Sequence, residues 1–209
     1  WIMITMTISP LMIMADRFVI GAILGAAAVA AYTIPFQVAN RTVMFPFAVT
    51  QALFPRFAND DADRSLARCK EASAFVGQVY APMVIGLICL AAPLLKLWLG
   101  ANLDMQSIAI GQIVLAGLWA NAVAGVAYAF IQARGNPRYT ALVHVAELPF
   151  YMAGLMILGE EFGLAGVAAA FSLRCALDCV IMMRAADVWS ADVLLRLAVP
   201  LVLVRSEER

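Results

Sequence analysis

The sequence predicts an all-α fold, a polytopic transmembrane helix bundle of about six spans. Three observations carry that expectation. Hydrophobic residues make up 64% of the 209-residue chain and charged residues only 13%, about half the charged share of a soluble domain. The apolar residues gather into runs near the ~20 residues that a helix needs to cross a bilayer. Lys and Arg collect in alternate connections between those runs, as they do on the cytoplasmic side of membrane proteins. A soluble domain would need more polar surface, and a disordered chain or nucleic-acid binder more charge. Fourteen basic and fourteen acidic residues cancel, so net charge points to no nucleic acid or other charged partner. The bilayer itself is the expected partner.

The first span is expected over about 1–24 and the second over 30–55, with a turn near Gly25-Ala-Ala-Ala. A single span over 18–40, bounded by Arg17 and Arg41, is the competing parse. It strands two apolar remnants in water, which argues against it. The linker 56–71 follows, and Asn59-Asp-Asp-Ala-Asp-Arg is expected to cap a short surface helix over 63–71. Span three, 72–96, and span four, 107–133, are almost free of charge. Span five, 138–158, must tolerate His144 and Glu147, and span six, 163–184, must tolerate Arg174 and Asp178. These six form one bundle over residues 1–186. Residues 187–209 contain an apolar stretch interrupted by Arg196 and Pro200, which predicts an interfacial or partial span. The chain opens on Trp1 inside an apolar run with no basic segment before it, so it reads as a piece of a longer protein.

Loop charge orients the bundle. Arg56, Arg64, Arg68 and Lys70, then Arg134 and Arg138, then Arg184 fall on one side; Lys96 at a span end, then Asp104, Glu160 and Glu161, fall on the other. Both ends of the six-span unit are therefore expected in the cytoplasm. Pro10, Pro35, Pro46, Pro82, Pro93 and Pro149 lie inside the expected spans, where proline kinks a helix and frees a carbonyl. Gly21 and Gly25 have a small-xxx-small spacing that reads as helix packing. Lys96 beside Trp98 reads as an interface anchor. Cys69, Cys89, Cys175 and Cys179 fit neither a zinc pattern nor a disulfide framework, so no metal and no cofactor is expected.

Charges at membrane depth are the informative residues, since each costs about 2.5–3.5 kcal/mol at mid-bilayer on insertion scales. Seven fall inside the spans: Asp16, Arg17, Arg41, His144, Glu147, Arg174 and Asp178. In an antiparallel hairpin, residues equidistant from the turn lie at one depth. A turn at 160–161 sets Glu147 level with Arg174 and His144 nearly level with Asp178. His144 and Glu147 are i,i+3 on one helix and Arg174 and Asp178 are i,i+4 on the other, so the four form a polar ladder serving as ion pairs or a proton relay. A turn near 28 brings Arg41 close in depth to Asp16 and Arg17. Adjacent residues point about 100° apart, so one of the two aims well at Arg41. If Asp16 takes Arg41, Arg17 is left for another helix or a ligand.

The stretch Asp16-Arg-Phe-Val-Ile-Gly-Ala-Ile-Leu-Gly, then Ala-Val-Ala-Ala-Tyr-Thr-Ile-Pro-Phe-Gln at 28–37, then Leu53-Phe-Pro-Arg56, resembles the bacterial polysaccharide transporters. These include the O-antigen flippases of the multidrug/oligosaccharidyl-lipid/polysaccharide exporter superfamily. The resemblance is sharp over about 9–58, and it implies the C-terminal half of a two-bundle exporter with its N-terminal half missing. It also implies transport of a polyprenyl-diphosphate-linked oligosaccharide across the bacterial inner membrane, with Arg17 and Arg41 meeting the substrate. A cation-coupled drug exporter of the same superfamily is the alternative, and unpaired carboxylates would favour it. A membrane-embedded glycosyltransferase or polymerase is less favoured, because the sequence has no nucleophile–base pair, phosphate loop or large extramembrane loop. No enzymatic activity is expected.

Overall fold

The computed structural model describes residues 2–99 and 105–197. The chain is an all-helical membrane protein built of α1 (Ile2–Ile23), α2 (Ala26–Arg41), α3 (Met44–Asn59), α4 (Ala62–Leu99), α5 (Met105–Ala133) and α6 (Pro137–Ala185). A short helix, α7, covers 191–197. Three helices are long and apolar enough to cross a membrane: Ala62–Pro93, Gln106–Ala133 and Pro137–Ala185.

α5 is the centre of the bundle and packs against α2, α3, α4 and α6. It carries no charge, and Ile110, Val114, Leu118, Val123 and Val126 bury their side chains on several of its faces. That pattern is expected of a helix enclosed by neighbours. Gly117 lets α6 approach closely. A Cβ there would stand 2.7 Å from the Ser172 Cα, and the Ser172 hydroxyl donates to the Ile113 carbonyl at 2.7 Å. In hydrocarbon, such contacts replace the hydrophobic drive that assembles soluble cores.

α6 runs for 49 residues, about 74 Å at 1.5 Å per residue, more than twice a bilayer core of about 30 Å. It is folded double at Gly163, whose φ of 61° and ψ of −140° lie outside helical space. A side chain is strongly disfavoured in that conformation, which is why glycine occupies it. The arms 137–162 and 164–185 correspond to the expected fifth and sixth spans, the first of them longer than the 138–158 anticipated.

Several expected boundaries are corrected. The break between α1 and α2 at Leu24-Gly25 agrees with the two-span parse of the N-terminal region. The 30–55 span, however, is two helices of 16 residues each, α2 and α3. Pro46 has no N–H to give the Thr42 carbonyl, and the chain tightens there. The amides of Thr42 and Val43 bond three residues back, to Ala39 and Asn40 at 3.1 and 3.2 Å. The Thr42 hydroxyl donates to the Ala39 carbonyl and also contacts the Tyr80 hydroxyl of α4. The surface helix expected over 63–71 is the first part of α4, with no break before span three. Asp61 caps it by accepting the Arg64 amide at 2.9 Å. A Cβ added at Gly21 would stand 3.6 Å from the Val29 side chain, so α1 and α2 leave room there for a small side chain. The side chains of Lys96 and Trp98, and residue Asp104, lie outside the described residues.

Two connections share one end of the bundle. The Arg134 guanidinium donates to the Asp60 carbonyl at 3.3 Å, while Arg68 pairs with the Asp60 carboxylate at 2.7 Å. After α6 the chain turns back: Val188, Val193 and Leu197 are buried, and Gln78 of α4 donates to the Arg196 carbonyl at 3.2 Å. The described part of the 187–209 segment thus seats on α4, and 198–209 lies outside the described residues.

Two substitutions test this packing. Gly163→Ala forces a side chain into a backbone region that costs about 1–3 kcal/mol. Gly117→Leu overpacks the α5–α6 crossing, at a similar cost. Each should lower the melting temperature of the detergent-solubilised protein by several degrees, read by thermal unfolding, whereas Gly86→Ala, where open space surrounds the position, should leave it unchanged.

Candidate functional site

Of the seven charged residues expected at membrane depth, all but Arg41 lie where α1, α2, α5 and the two arms of α6 meet. Asp16 is fully buried. One of its carboxylate oxygens accepts the Arg17 amide at 2.7 Å and faces the Arg17 guanidinium at 3.4 Å. Its other oxygen has no hydrogen-bond partner. Asp16 therefore shares its charge with its own neighbour, and the Asp16–Arg41 pair expected from depth is not formed. The reason is direction: Arg41 ends α2 and points to the opposite side, where it lines a groove of about 640 Å³. That groove runs between Pro35 and Val38 of α2, Leu87 and Ala91 of α4, and Gly111 and Leu115 of α5. Arg41 has no ion pair among the described residues.

A chain of cations and rings links α1 to α6. The Arg17 guanidinium lies 4.9 Å from the centre of the Phe36 ring. Phe36 stacks on Tyr32 at 5.6 Å and meets Phe171 edge-on at 5.2 Å. On the far side, Arg174 lies 5.8 Å from Phe171 and 5.4 Å from Tyr151. It also reaches the Met12 sulfur of α1 at 3.8 Å and the Cys175 sulfur at 3.5 Å. Ring faces and polarizable sulfurs stabilise a guanidinium where water is excluded, each contact by about 0.5–2 kcal/mol. The rings thereby hold both arginines in place, Arg17 beside the Asp16 carboxylate at 3.4 Å and Arg174 among rings and sulfurs.

The hairpin of α6 brings a second group together. His144 Nε2 and Asp178 Oδ1 face each other across the arms at 3.7 Å. The His144 ring stacks on Tyr128 of α5, with centroids 5.7 Å apart. Glu147 is 6% exposed, and neither of its carboxylate oxygens has a hydrogen-bond partner. The expected Glu147–Arg174 ion pair is absent among the described residues, although both side chains line one cleft of about 370 Å³ between the arms. Arg174 turns its two terminal nitrogens to sulfurs and leaves Nε without a hydrogen bond, and Glu147 instead stands beside His144 and Asp178, their ligand atoms all within 4.8 Å of one another.

Sequence reasoning missed Tyr32, Phe36, Tyr151 and Phe171. A faint signal exists in spacing, since Tyr151 follows Glu147 by four residues and Phe171 precedes Arg174 by three. Positions so spaced share a helix face. In a chain with 10% aromatic residues that spacing singles out nothing.

The sequence model of the family described as "Polysaccharide biosynthesis protein" matches residues 1–107. A Shigella flexneri protein named "Putative O-antigen transporter" is 33% identical over 183 residues, covering 87% of this chain and 44% of that protein. The chain therefore spans less than half the length of that relative. No solved structure gives a significant match.

The geometry separates two pairs that depth alone treats alike. In a double-mutant cycle on thermal stability, His144→Gln and Asp178→Asn should be non-additive by about 0.5–3 kcal/mol, as contacting polar groups are. Glu147→Gln with Arg174→Met should show weaker coupling, because no direct bond joins them. Equal coupling in both cycles would contradict the arrangement.

Proposed function

The chain belongs to the polysaccharide biosynthesis protein family, and from that premise we propose that it is one helical half of a transporter for a polyprenyl-diphosphate-linked oligosaccharide. The transporter acts at the bacterial inner membrane in surface polysaccharide biosynthesis, by alternating access as a flippase. It is a transporter component and not an enzyme. The six crossings are α1, the kinked α2–α3 pair, α4, α5 and the two arms of α6, with both ends of this unit cytoplasmic. The rest of the same protein supplies the other half of the pathway.

The observation that carries the reading is Arg41. It stands without an acidic partner among the described residues, at the edge of a mainly apolar groove of about 640 Å³ whose other polar lining residues are Gln37 and Thr42. A guanidinium presents a planar fork to phosphate oxygens, and the apolar walls suit an isoprenoid chain. Arg17 is the second substrate-contacting residue. It is held on Phe36 and beside Asp16, which fixes its place and reduces its net charge. Asp16, His144, Glu147, Arg174 and Asp178 form the ion-pair and proton-relay set behind these two arginines. A cation-coupled drug exporter is the second reading, favoured by the unpartnered Glu147 carboxylate.

In full-length protein, Arg41→Ala removes a charge-assisted contact of about 1.5–3 kcal/mol, roughly a 10–100-fold loss of binding. Surface polysaccharide should fall in proportion at unchanged membrane abundance. Normal polysaccharide in both Arg41→Ala and Arg17→Ala would remove the reading, and drug efflux lost in the same variants would favour its rival.

Orientation is testable separately. Arg64 and Glu160 are both exposed and sit at opposite ends of the bundle. A cysteine at 160, but not one at 64, should react with an impermeant thiol reagent in whole cells. The reverse pattern would invert the topology.

A further inference from the structure

We propose that His144, Glu147 and Asp178 form a binding site for a divalent transition-metal ion, of the Zn²⁺ or Mn²⁺ class, between the arms of α6. Their ligand atoms lie within 4.8 Å of one another. One imidazole and two carboxylates are a donor set that suits such ions, the imidazole favouring borderline metals and the carboxylates harder ones. At metal–ligand distances of about 2.0–2.2 Å, tetrahedral ligand atoms stand roughly 3.4 Å apart. The three side chains therefore need to close by at most about 1.4 Å, which side-chain torsions can supply.

A second observation points to a ligand. Glu147 is more than nine-tenths buried, with both oxygens unpartnered. Asp178 Oδ1 likewise lacks a hydrogen bond, and the His144 ring faces it at 3.7 Å. Two carboxylates this close and this deep in the bilayer repel each other, and a shared cation relieves both. Arg174 is the cation nearest by position, yet its guanidinium is turned onto Tyr151, Phe171 and the Met12 and Cys175 sulfurs. His144 already has its ring plane fixed by Tyr128, and such outer contacts orient a ligating imidazole. Ions bound here brace one arm of α6 against the other, across the Gly163 fold.

Full-length protein, purified in detergent without a histidine tag and stripped with chelator, is dialysed against Zn²⁺ or Mn²⁺ and its metal content measured. About one tightly held ion per chain is expected, with a raised melting temperature. His144→Gln and Glu147→Gln should each weaken affinity at least tenfold, while Lys70→Gln does not. Wild-type retention near background, or retention in both site variants equal to that of wild type, overturns the proposal. Should a variant fail to fold, wild-type protein loaded with Co²⁺ decides by itself: visible d–d absorption showing imidazole and carboxylate ligation supports the site, and the spectrum of hydrated Co²⁺ overturns it. These readouts need no transport assay, so they stand apart from the assignment of substrate.

Discussion

The fold of α6 at Gly163 is the constraint on which the rest depends. A helix of 49 residues cannot lie straight across a bilayer core of about 30 Å. Doubling it back sets His144 and Glu147 on one arm opposite Asp178 and Arg174 on the other. A backbone with φ of 61° and ψ of −140° does not relax into a longer helix without separating the arms. Both the buried polar group and the cleft between the arms would then disappear. One position without a Cβ thus decides whether four ionisable side chains meet.

The doubled helix is steadied from two sides. On one side α5 touches it through Gly117 and Ser172, a crossing close enough for a side chain to donate to the Ile113 carbonyl at 2.7 Å. On the other, α1 supplies Met12, Asp16 and Arg17. Nothing in hydrocarbon drives apolar helices together as water does, so close packing and a few polar contacts must do it. The rings of Phe36 and Phe171 pass between the two arginines, and each ring face answers one guanidinium. The Asp16 carboxylate stands beside Arg17 at 3.4 Å, and the rings separate that pair from Arg174.

The two grooves differ in chemistry. Arg41 borders a mainly apolar groove in which Gln37 and Thr42 are the other polar residues, which suits the proposed anionic head group on a hydrocarbon chain. The cleft between the arms of α6 holds Glu147, whose carboxylate calls for a proton or a cation. A transporter that moves an anionic lipid and draws on an ion gradient needs both kinds of site, placed on helices that can shift relative to each other. The break between α2 and α3 at Pro46, and the prolines inside α4 and α6, put bending points beside each groove.

The sequence by itself determined that the chain is helical and membrane-embedded, where α1 gives way to α2, and that the last two long segments fold back near 160–161, two residues short of Gly163. It also placed His144 close in depth to Asp178, because depth follows from a fixed rise per residue and the position of a turn. Those quantities are local. The loop basic residues were legible for the same reason, and the connections at Asp60 and Arg134 do share one end of the bundle. Only the tertiary structure decided azimuth and partner. Depth set Glu147 beside Arg174, yet Arg174 turns to Tyr151 and Phe171, which come from other turns of helix and carry no charge to advertise themselves. Depth likewise set Arg41 near Asp16, but the rotation of α2, fixed by Tyr32 and Phe36 packing inward, sends Arg41 to the opposite side. Rotation about a helix axis is set by every neighbour at once, and no single segment carries that information.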